Sequence, residues 1–469
     1  MHIEQIYTGC LAQGAYYITS GNEAAIIDPL REVQPYLDRA EKDGVTIKYI
    51  FETHFHADFV SGHVTLAEKT GAPIIYGPNA NPTFKAHIAK DEEEFQLGEI
   101  SIKVLHTPGH TMESTTYLLR DKDGKDHAIF TGDTLFLGDV GRPDLAQKSE
   151  EMTQEDLAST LYDSLREKIM PLADEVIVYP AHGAGSACGK NMMKITVDTL
   201  GNQKNVNYAL RADMTKDEFV KELTEGLLPP PAYFPLNVKM NREGYDSIDK
   251  VLDKGLIALS PKAFETAANE IGALILDVRH QKDFSKSFVP RSIFIGLNGS
   301  FAPWVGELIK DVKQPLLLVV PEGKEKEAIT RLARVGFDNV HGYLGGGLAA
   351  WKKAGLETDS LESISANNLE TLLNDHKVPV FDVRKPGEYN SVHLEVATHT
   401  PLSNLNNHLA AYPQEGTAYV HCAGGYRSVI AISILKSRGI HNVVNVLGGF
   451  KDLKATGLKQ VEQVCPSTL

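Results

Sequence analysis

The stretch THFHADF (residues 53–59), with His63 four residues further on, decides the fold of the first half of the chain. It follows an apolar, β-rich run that begins at residue 47. Three later segments also place His or Asp where such a run ends: HTPGH (106–110), FTGD (130–133) and YPAH (179–182). Polar ligands at strand ends, with apolar strands behind them, are how a sheet presents a site at its rim. Clusters of His and Asp at such spacing predict a metal site.

Length and composition limit the classes of protein to consider. The 469 residues are enough for about three domains of roughly 100–200 residues each. The formal net charge of −14, without a long basic run, argues against a nucleic-acid partner. No run of eighteen apolar residues and no signal-peptide pattern are present, so we expect no membrane segment. Four scattered cysteines, Cys10, Cys188, Cys422 and Cys465, suggest individual thiols in a reducing, cytoplasmic compartment.

The second half of the chain is a duplication. ALILDVRHQKDF (273–284) returns as VPVFDVRKPGEY (378–389), and both copies alternate β-rich and helical patterns. The prolines at 229–231 begin what we expect to be a stiff connector. We therefore predict an α/β multidomain protein with domains at residues 1–245, 246–360 and 361–469.

The last copy carries a thiol between a strand and a helix, in the segment HCAGGYRS (421–428). The loop Ala423, Gly424, Gly425, Tyr426 can curl around the sulfur of Cys422, and the free amides of a helix start favour an anion there. Arg427 adds a positive charge. The middle copy has LLLVVPEGK (316–324) instead, and no cysteine lies between Cys188 and Cys422. We expect the middle copy to be a spacer and assembly surface without chemistry of its own.

The metal motifs resemble the metallo-β-lactamase superfamily, whose first motif is usually HxHxDH. Phe59 stands where that motif has its last His, so the second of two metal positions would keep only Asp58, His182 and a bridging Asp133. A single metal is favoured. Two imidazoles and one carboxylate with open positions suit ferrous iron. Within the superfamily the persulfide dioxygenases match best, and the resemblance assigns the iron ligands to His54, His110 and Asp133 in an αββα domain.

Other residues near the metal motifs have open roles. The resemblance extends to GRPD (141–144) and to GAGSACGK (183–190). Arg142 could hold the carboxylate of a thiol carrier or form an ion pair with Asp144. Cys188 could take part in redox or sulfur relay chemistry, or could fill space. Residues that could lie close to the metal or the substrate are His56, Asp58, Arg142, His182 and Cys188.

The thiol motif resembles rhodaneses. Its Cys-x4-Arg spacing differs from the Cys-x5-Arg of cysteine-dependent phosphatases, and FDVRKPGEY (381–389) and NVLGGF (445–450) are typical of rhodanese domains. The resemblance implies two α/β rhodanese domains, the second active through Cys422. Together the modules imply that one Fe²⁺ per chain and O2 oxidise a persulfide of glutathione, coenzyme A or bacillithiol to sulfite. Cys422 would then transfer sulfane sulfur to sulfite, giving thiosulfate. The resemblance also implies a homo-oligomer.

Two other functions stay open. One is a mononuclear zinc thioester hydrolase resembling glyoxalase II, with an independent sulfurtransferase. The other is a non-catalytic sulfur carrier or persulfide-sensing module, in which Cys422 only stores sulfur.

Overall fold

A computed structural model describes residues 1–145, 152–227 and 229–462 of the chain. It divides into two compact units. The first comprises Met1–Val251 with the short segments Lys310–Val312 and Thr330–Asp338, and the second comprises Leu252–Ile309, Lys313–Ile329 and the chain from Asn339 onward. Cys465 lies outside the described residues. Among the helices that the structure describes, none combines the length and the apolar character needed to cross a membrane.

The first unit contains two six-stranded sheets. Neighbouring strands follow the orders β1-β2-β3-β4-β5-β6 and β12-β11-β10-β9-β8-β7. The strands are β1 (His2–Thr8), β2 (Gln13–Ser20), β3 (Glu23–Ile27), β4 (Thr46–Phe51), β5 (Ile74–Tyr76), β6 (His87–Ile88), β7 (Glu94–Leu97), β8 (Ile100–His106), β9 (Thr115–Arg120), β10 (Asp126–Gly132), β11 (Ile177–Pro180) and β12 (Asp198–Thr199).

The helices of this half lie along the outer faces of the sheets or follow them in the chain. They are α1 (Gln34–Asp43), α2 (His63–Thr70), α3 (Gln154–Ser164), α4 (Leu200–Val206), α5 (Lys216–Thr224), α6 (Phe234–Glu243) and α7 (Ile248–Gly255), with a π-helical turn at Leu165–Ile169 and a 3₁₀ turn at Tyr208–Leu210.

Successive side chains of a strand point to opposite faces of its sheet. Each sheet therefore packs against the other sheet on one face and against helices on the other. In β2, Tyr16 and Ile18 pack with Tyr117 and Leu119 of the other sheet in one buried cluster. The intervening Tyr17 packs instead with residues of α1 and α2. On the far side, Leu118 and Ile129 pack against residues of α3 and α5. The two sheets therefore face each other between helical layers, and the predicted αββα fold is confirmed.

The segment predicted as a stiff connector is largely helical. Helix α6 begins at Phe234, three residues after the last of the three prolines, and Pro235 lies in its first turn. Proline is tolerated there because the first amide groups of a helix have no intrahelical acceptor. The sequence prediction did not include this helix, since it weighed the prolines and not the residues that follow them.

The second half of the chain contains two five-stranded parallel sheets with matching orders, β13-β17-β16-β14-β15 and β18-β23-β22-β19-β21, and a two-stranded pair β20-β24. The matching orders confirm the duplication. The strands are β13 (Ala258–Leu259), β14 (Leu274–Asp277), β15 (Ile293–Phe294), β16 (Leu316–Val319), β17 (Val340–Leu344), β18 (Glu362–Ile364), β19 (Val380–Asp382), β20 (Val392–Leu394), β21 (Ala397–His399), β22 (Ala418–His421), β23 (Val443–Val446) and β24 (Gln460–Glu462).

Helices connect the strands of each copy. They are α8 (Pro261–Glu270), α9 (Gln281–Lys286), α10 (Phe301–Leu308), α11 (Glu325–Ala333), α12 (Gly347–Lys353), α13 (Ala366–Asp375), α14 (Pro386–Ser391), α15 (Arg427–Ser437) and α16 (Gly449–Leu453), with 3₁₀ turns at Leu402–Asn407 and Leu409–Ala411.

Candidate functional site

Strand ends of the first unit bring the predicted metal ligands together. His54 follows β4, Asp133 follows β10, and His110 lies in the loop after β8. One ligand atom from each of these three residues lies within 4.8 Å of the other two, and all three residues are buried. We call His54, His110 and Asp133 the first donor set.

The backbone geometry requires glycine at one position in each of the motifs HTPGH (106–110) and FTGD (130–133). Gly109 has a φ of +139°, and a Cβ there would lie 2.4 Å from the Cα of Leu161 in α3. Gly132 has a φ of +52°, and a Cβ there would lie 2.6 Å from the hydroxyl oxygen of Thr53. Each glycine thus lets the backbone approach a neighbouring element closely. The following residues, His110 and Asp133, are placed in the site as a result.

Hydrogen bonds fix the two imidazoles of the first donor set. His110 Nδ1 lies 2.8 Å from the carbonyl oxygen of Arg142. His54 Nδ1 lies 3.0 Å from the Thr53 hydroxyl, which donates in turn to Asp28. In both rings Nδ1–H therefore donates a hydrogen bond, and this leaves Nε2 as the nitrogen that can bind a metal.

The carboxylate of Asp133 faces two ways. Its Oδ2 lies 3.4 Å from His110 Nε2 and 3.9 Å from His54 Nε2. Its Oδ1 lies 3.4 Å from His182 Nε2. Asp133 therefore presents one oxygen to the two imidazoles of the first donor set and the other oxygen to His182.

The electrostatics of the first donor set suit a cation. Burial lowers the pKa of His54 well below its ordinary value and lowers the pKa of His110 to about 4. Burial also raises the pKa of Asp133 to about 6. Among the described residues, neither oxygen of Asp133 has a hydrogen-bond partner. A metal binds the neutral form of imidazole and the ionised form of a carboxylate. A bound cation would also offset the free-energy cost of burying the Asp133 carboxylate without a partner.

His56 and Phe59 lie beside this set. His56 Nε2 lies 3.1 Å from Asp28 and 3.6 Å from Glu52. Burial lowers the pKa of His56, but these two carboxylates outweigh it and raise the pKa to about 9. Phe59 is fully buried and its ring centroid lies 4.4 Å from that of His56. His56 therefore belongs to a buried charge network, and Phe59 covers it with an apolar ring.

The remaining predicted residues of this region divide into two groups. Arg142 donates to both oxygens of Asp144 at 2.6 Å, which is the ion pair considered as one of its two roles. Its backbone amide also donates to the carbonyl oxygen of Cys188. In contrast, His182 Nε2 lies 3.4 Å from Asp133 Oδ1 and 3.5 Å from Asp58 Oδ1, and Cys188 forms one buried group with Asp133 and His182. Burial, followed by the nearby carboxylates, raises the pKa of the Cys188 thiol well above its ordinary value.

Sequence reasoning missed Asn241 of α6. Its side-chain amide donates to the carbonyl oxygens of His56 and Phe59, and its Oδ1 accepts from the backbone amide of Ser61 at 2.9 Å. Asn241 is fully buried, but this burial depends on tertiary packing and leaves no signal in the sequence pattern.

The thiol site lies where the sequence predicts it, between β22 and α15. The amide of Gly425 donates to Cys422 Sγ over 3.1 Å, and the Ser428 hydroxyl lies 3.6 Å from the same sulfur. Arg427, however, is held by both oxygens of Glu388, at 2.5 and 2.7 Å. The expectation that Arg427 simply adds a positive charge is therefore corrected, because Glu388 neutralises much of that charge.

A pocket of about 430 Å³ opens beside Cys422, and both rhodanese-like copies line it. Tyr426 donates from its hydroxyl to the carbonyl oxygen of Gly296, which joins the two copies at the pocket. The last copy contributes Cys422, Ala423, Gly424, Tyr426 and Arg427, and the middle copy contributes Gln281, Asn298, Gly299, Ser300 and Trp304. The middle copy is therefore part of the wall of the thiol site, which the sequence-based description of a spacer did not include.

Family models match both halves of the chain. The model of the metallo-beta-lactamase superfamily matches residues 8–182, and the model of the rhodanese-like domain matches residues 260–354 and 365–456. The matched ranges contain the first donor set and the thiol loop.

Individual relatives agree with these matches. The human mitochondrial persulfide dioxygenase ETHE1 is 30% identical over 222 residues, which cover 47% of this chain and 78% of that protein. The hydroxyacylglutathione hydrolase GloC of Haemophilus influenzae is 29% identical over 213 residues, covering 40% of this chain and 94% of that protein. A crystal structure of a metallo-beta-lactamase from Staphylococcus aureus subsp. aureus COL superposes with a TM-score of 0.64 at 28% identity, covering 73% of this chain and 98% of that one. The chain thus belongs to the metallo-beta-lactamase superfamily, with persulfide dioxygenases among its relatives, and joins that domain to two rhodanese-like domains.

Proposed function

We propose that the chain is an iron-dependent persulfide dioxygenase coupled to a sulfurtransferase, with the first activity in residues 1–245 and the second at Cys422 of residues 361–469. The observation that carries the proposal is the buried first donor set beside Phe59. Two neutral imidazoles and one carboxylate leave coordination positions open, as dioxygen chemistry requires. Phe59 removes an imidazole that a two-metal hydrolase would use.

The first donor set would hold one Fe²⁺, and this ion supplies the one-electron and oxygen chemistry that protein side chains lack. The chain positions its ligands through the hydrogen bonds of His54 to Thr53 and of His110 to the Arg142 carbonyl. Burial of the set excludes bulk water from the reacting sulfur. The overall reaction converts a thiol persulfide, O2 and water into the free thiol and sulfite.

The second reaction would take place at Cys422. The Cys422 thiolate attacks the outer sulfur of a second persulfide, so that a new S–S bond forms and the carrier leaves as its thiol. Sulfite then attacks the outer sulfur of the enzyme persulfide, giving thiosulfate and restoring the thiolate. The amide of Gly425 and the Ser428 hydroxyl are placed to stabilise negative charge on Cys422 Sγ.

An oxygen-electrode assay tests this proposal with the persulfides of glutathione, coenzyme A and bacillithiol, while sulfite and thiosulfate are quantified. We expect oxygen uptake that depends on one iron per chain, with thiosulfate among the products. Absence of oxygen uptake with all three carriers, together with stoichiometric zinc and thioester hydrolysis, would overturn it.

Stoichiometric zinc with thioester hydrolysis would instead support the second candidate function, a zinc thioester hydrolase with an independent sulfurtransferase. Its support is the similarity to the Haemophilus influenzae hydrolase and the presence of Asp58 and His182 beside Asp133. Metal analysis after aerobic purification, with thioester hydrolysis assayed on the same preparation, distinguishes the two functions.

A further inference from the structure

One segment of the middle rhodanese-like copy belongs by its contacts to the first compact unit. Residues Thr330–Asp338 lie inside the family-matched range 260–354 of that copy, yet they group with Met1–Val251. The segment contains the end of α11 and the residues that lead from it into β17. We call residues 334–338 the 334–338 turn. The proposed function gives this turn no role.

The duplication supplies an internal comparison for the turn. Gly336 corresponds to Gly439 of the last copy, because the segments 336–355 and 439–457 repeat each other. Val335 and Gly336 are buried, whereas Arg438 and Gly439 are exposed at the same two positions. A Cβ at Gly336 would lie 2.8 Å from Asn237 Oδ1 of α6, whereas a Cβ at Gly439 would meet nothing within 4 Å among the described residues. The same turn is therefore closely packed in the middle copy and open in the last copy.

The 334–338 turn contacts the loop between β4 and α2, which carries His54 and which we call the metal loop. The amide of Val60 donates to the carbonyl oxygen of Arg334 over 2.7 Å. Val60 is fully buried and directly follows Phe59. A buried amide needs an acceptor, and the middle copy supplies it here.

Two ion pairs join the turn to the segment that follows β3. Arg31 is fully buried, and its guanidinium lies 2.7 Å from the carboxylate of Asp338 and over the ring of Tyr245. The side chain of Arg334 pairs with Glu32. A buried guanidinium that loses its carboxylate partner is left uncompensated, so the Arg31 pair fixes the turn in one position.

The segment after β3 contacts the metal loop as well. The carbonyl oxygen of Pro29 accepts a hydrogen bond from the hydroxyl of Ser61 over 2.8 Å. The carboxylate of Asp28 accepts from the amide and the hydroxyl of Thr53, the residue before His54. A displacement of the turn would therefore reach the metal loop at Val60 and also through residues 28–32.

We propose that the 334–338 turn is a positioning element of the iron site, so that the rhodanese-like copy without a thiol serves the first donor set. Arg31, Arg334 and Asp338 are then positioning residues, which act through the metal loop and touch neither the metal nor the substrate. The inference rests on the proposed iron site, and it does not depend on persulfide or oxygen chemistry.

Leucine at the two equivalent glycines tests the proposal in the full-length chain. Gly336 and Gly439 have φ values of +84° and +88°, so both substitutions impose similar backbone strain, but only Gly336→Leu must displace α6. Fe²⁺ affinity is measured anaerobically by competition with a chelator, and the visible spectrum of the Co²⁺-loaded chain reports the coordination geometry. We expect Gly336→Leu to weaken Fe²⁺ binding about tenfold or more and to change the Co²⁺ spectrum, whereas Gly439→Leu should leave both unchanged. Equal affinities and equal spectra in the two variants would overturn the proposal.

A second set of variants covers the case in which Gly336→Leu folds poorly. Asp338→Ala removes the partner of Arg31 and should weaken Fe²⁺ binding about tenfold, whereas Asp338→Glu keeps the charge and should restore most of the affinity. His441→Ala changes the equivalent exposed position of the last copy and is the control. Circular dichroism shows whether each variant is folded at the temperature of measurement. Unchanged metal affinity in folded Asp338→Ala would overturn the proposal.

The two measurements separate this inference from the proposed function. A wild-type chain that binds no Fe²⁺ would contradict the proposed function, while the affinity and spectrum of Co²⁺ would still test whether the turn positions the first donor set.

Discussion

The side-chain amide of Asn241 donates hydrogen bonds to the carbonyl oxygens of Phe59 and His56, each over 2.8 Å. Helix α6, more than 180 residues further along the chain, thus holds the backbone of the loop that carries His54. The same side chain accepts from the amide of Ser61, so three polar groups of the loop depend on one residue. The metal loop owes its conformation to a helix outside the family-matched range 8–182.

Replacing Asn241 by Ala should therefore loosen the loop. Three buried hydrogen bonds are lost, and unsatisfied buried groups cost about 1–3 kcal/mol each. We expect a lower thermal midpoint and a loss of iron affinity of about 10–100-fold, as for residues that orient metal ligands. Competition with an iron chelator measures the affinity. Asn205→Ala, at an exposed position of α4, is the matched control and should change neither quantity. Undiminished iron affinity in Asn241→Ala would contradict this account.

Removing any member of the first donor set should remove the iron. We expect His54→Ala, His110→Ala and Asp133→Ala each to lose most of the one iron per chain and the oxygen uptake with it. Phe59→Ala should keep the iron, although losing a buried Phe side chain costs about 3–5 kcal/mol. Elemental analysis of the purified variants measures this, and Phe59→Leu is a control with a smaller cavity. Iron retained in all three ligand variants would place the metal elsewhere.

Replacing Cys422 by Ser should separate the two reactions. The hydroxyl is a far weaker nucleophile than the thiolate, so thiosulfate formation from sulfite and persulfide should be abolished. Oxygen uptake should continue, and sulfite should accumulate in place of thiosulfate. Parallel oxygen-electrode and product assays measure the split. If oxygen uptake also stops, the two sites do not act independently.

The wall supplied by the middle copy should affect sulfur transfer. Trp304→Ala enlarges the pocket beside Cys422 and removes an aromatic surface, so we expect the kcat/KM for thiosulfate formation to fall about tenfold. Trp304→Phe keeps an aromatic ring and should retain most of the activity. Oxygen uptake should be unchanged in both variants. Equal sulfur transfer in wild type and Trp304→Ala would mean that the middle copy is only a spacer.

The sequence predicted the αββα fold and the meeting of His54, His110 and Asp133 through the family resemblance that the motifs at strand ends carry, and it predicted the duplication through an internal repeat. It named Cys188 among the residues that could lie close to the metal, and Cys188 does lie with Asp133 and His182, but its role stayed open between sulfur chemistry and space filling. The sequence did not predict the pairing of Arg427 with Glu388, since these residues are 39 positions apart and meet only through tertiary packing. The helix after the prolines was missed because proline at the first turn of a helix looks the same in sequence as proline in a connector.

The pocket beside Cys422 is enclosed by two copies of one fold that have diverged in different ways. A small molecule that fills it would contact Cys422 through one copy and the side chains of Gln281, Asn298 and Trp304 through the other. A rhodanese domain that stands alone has no second copy to offer those contacts. A ligand built to use them would therefore discriminate this protein from single-domain rhodaneses, even where the cysteine loops are identical.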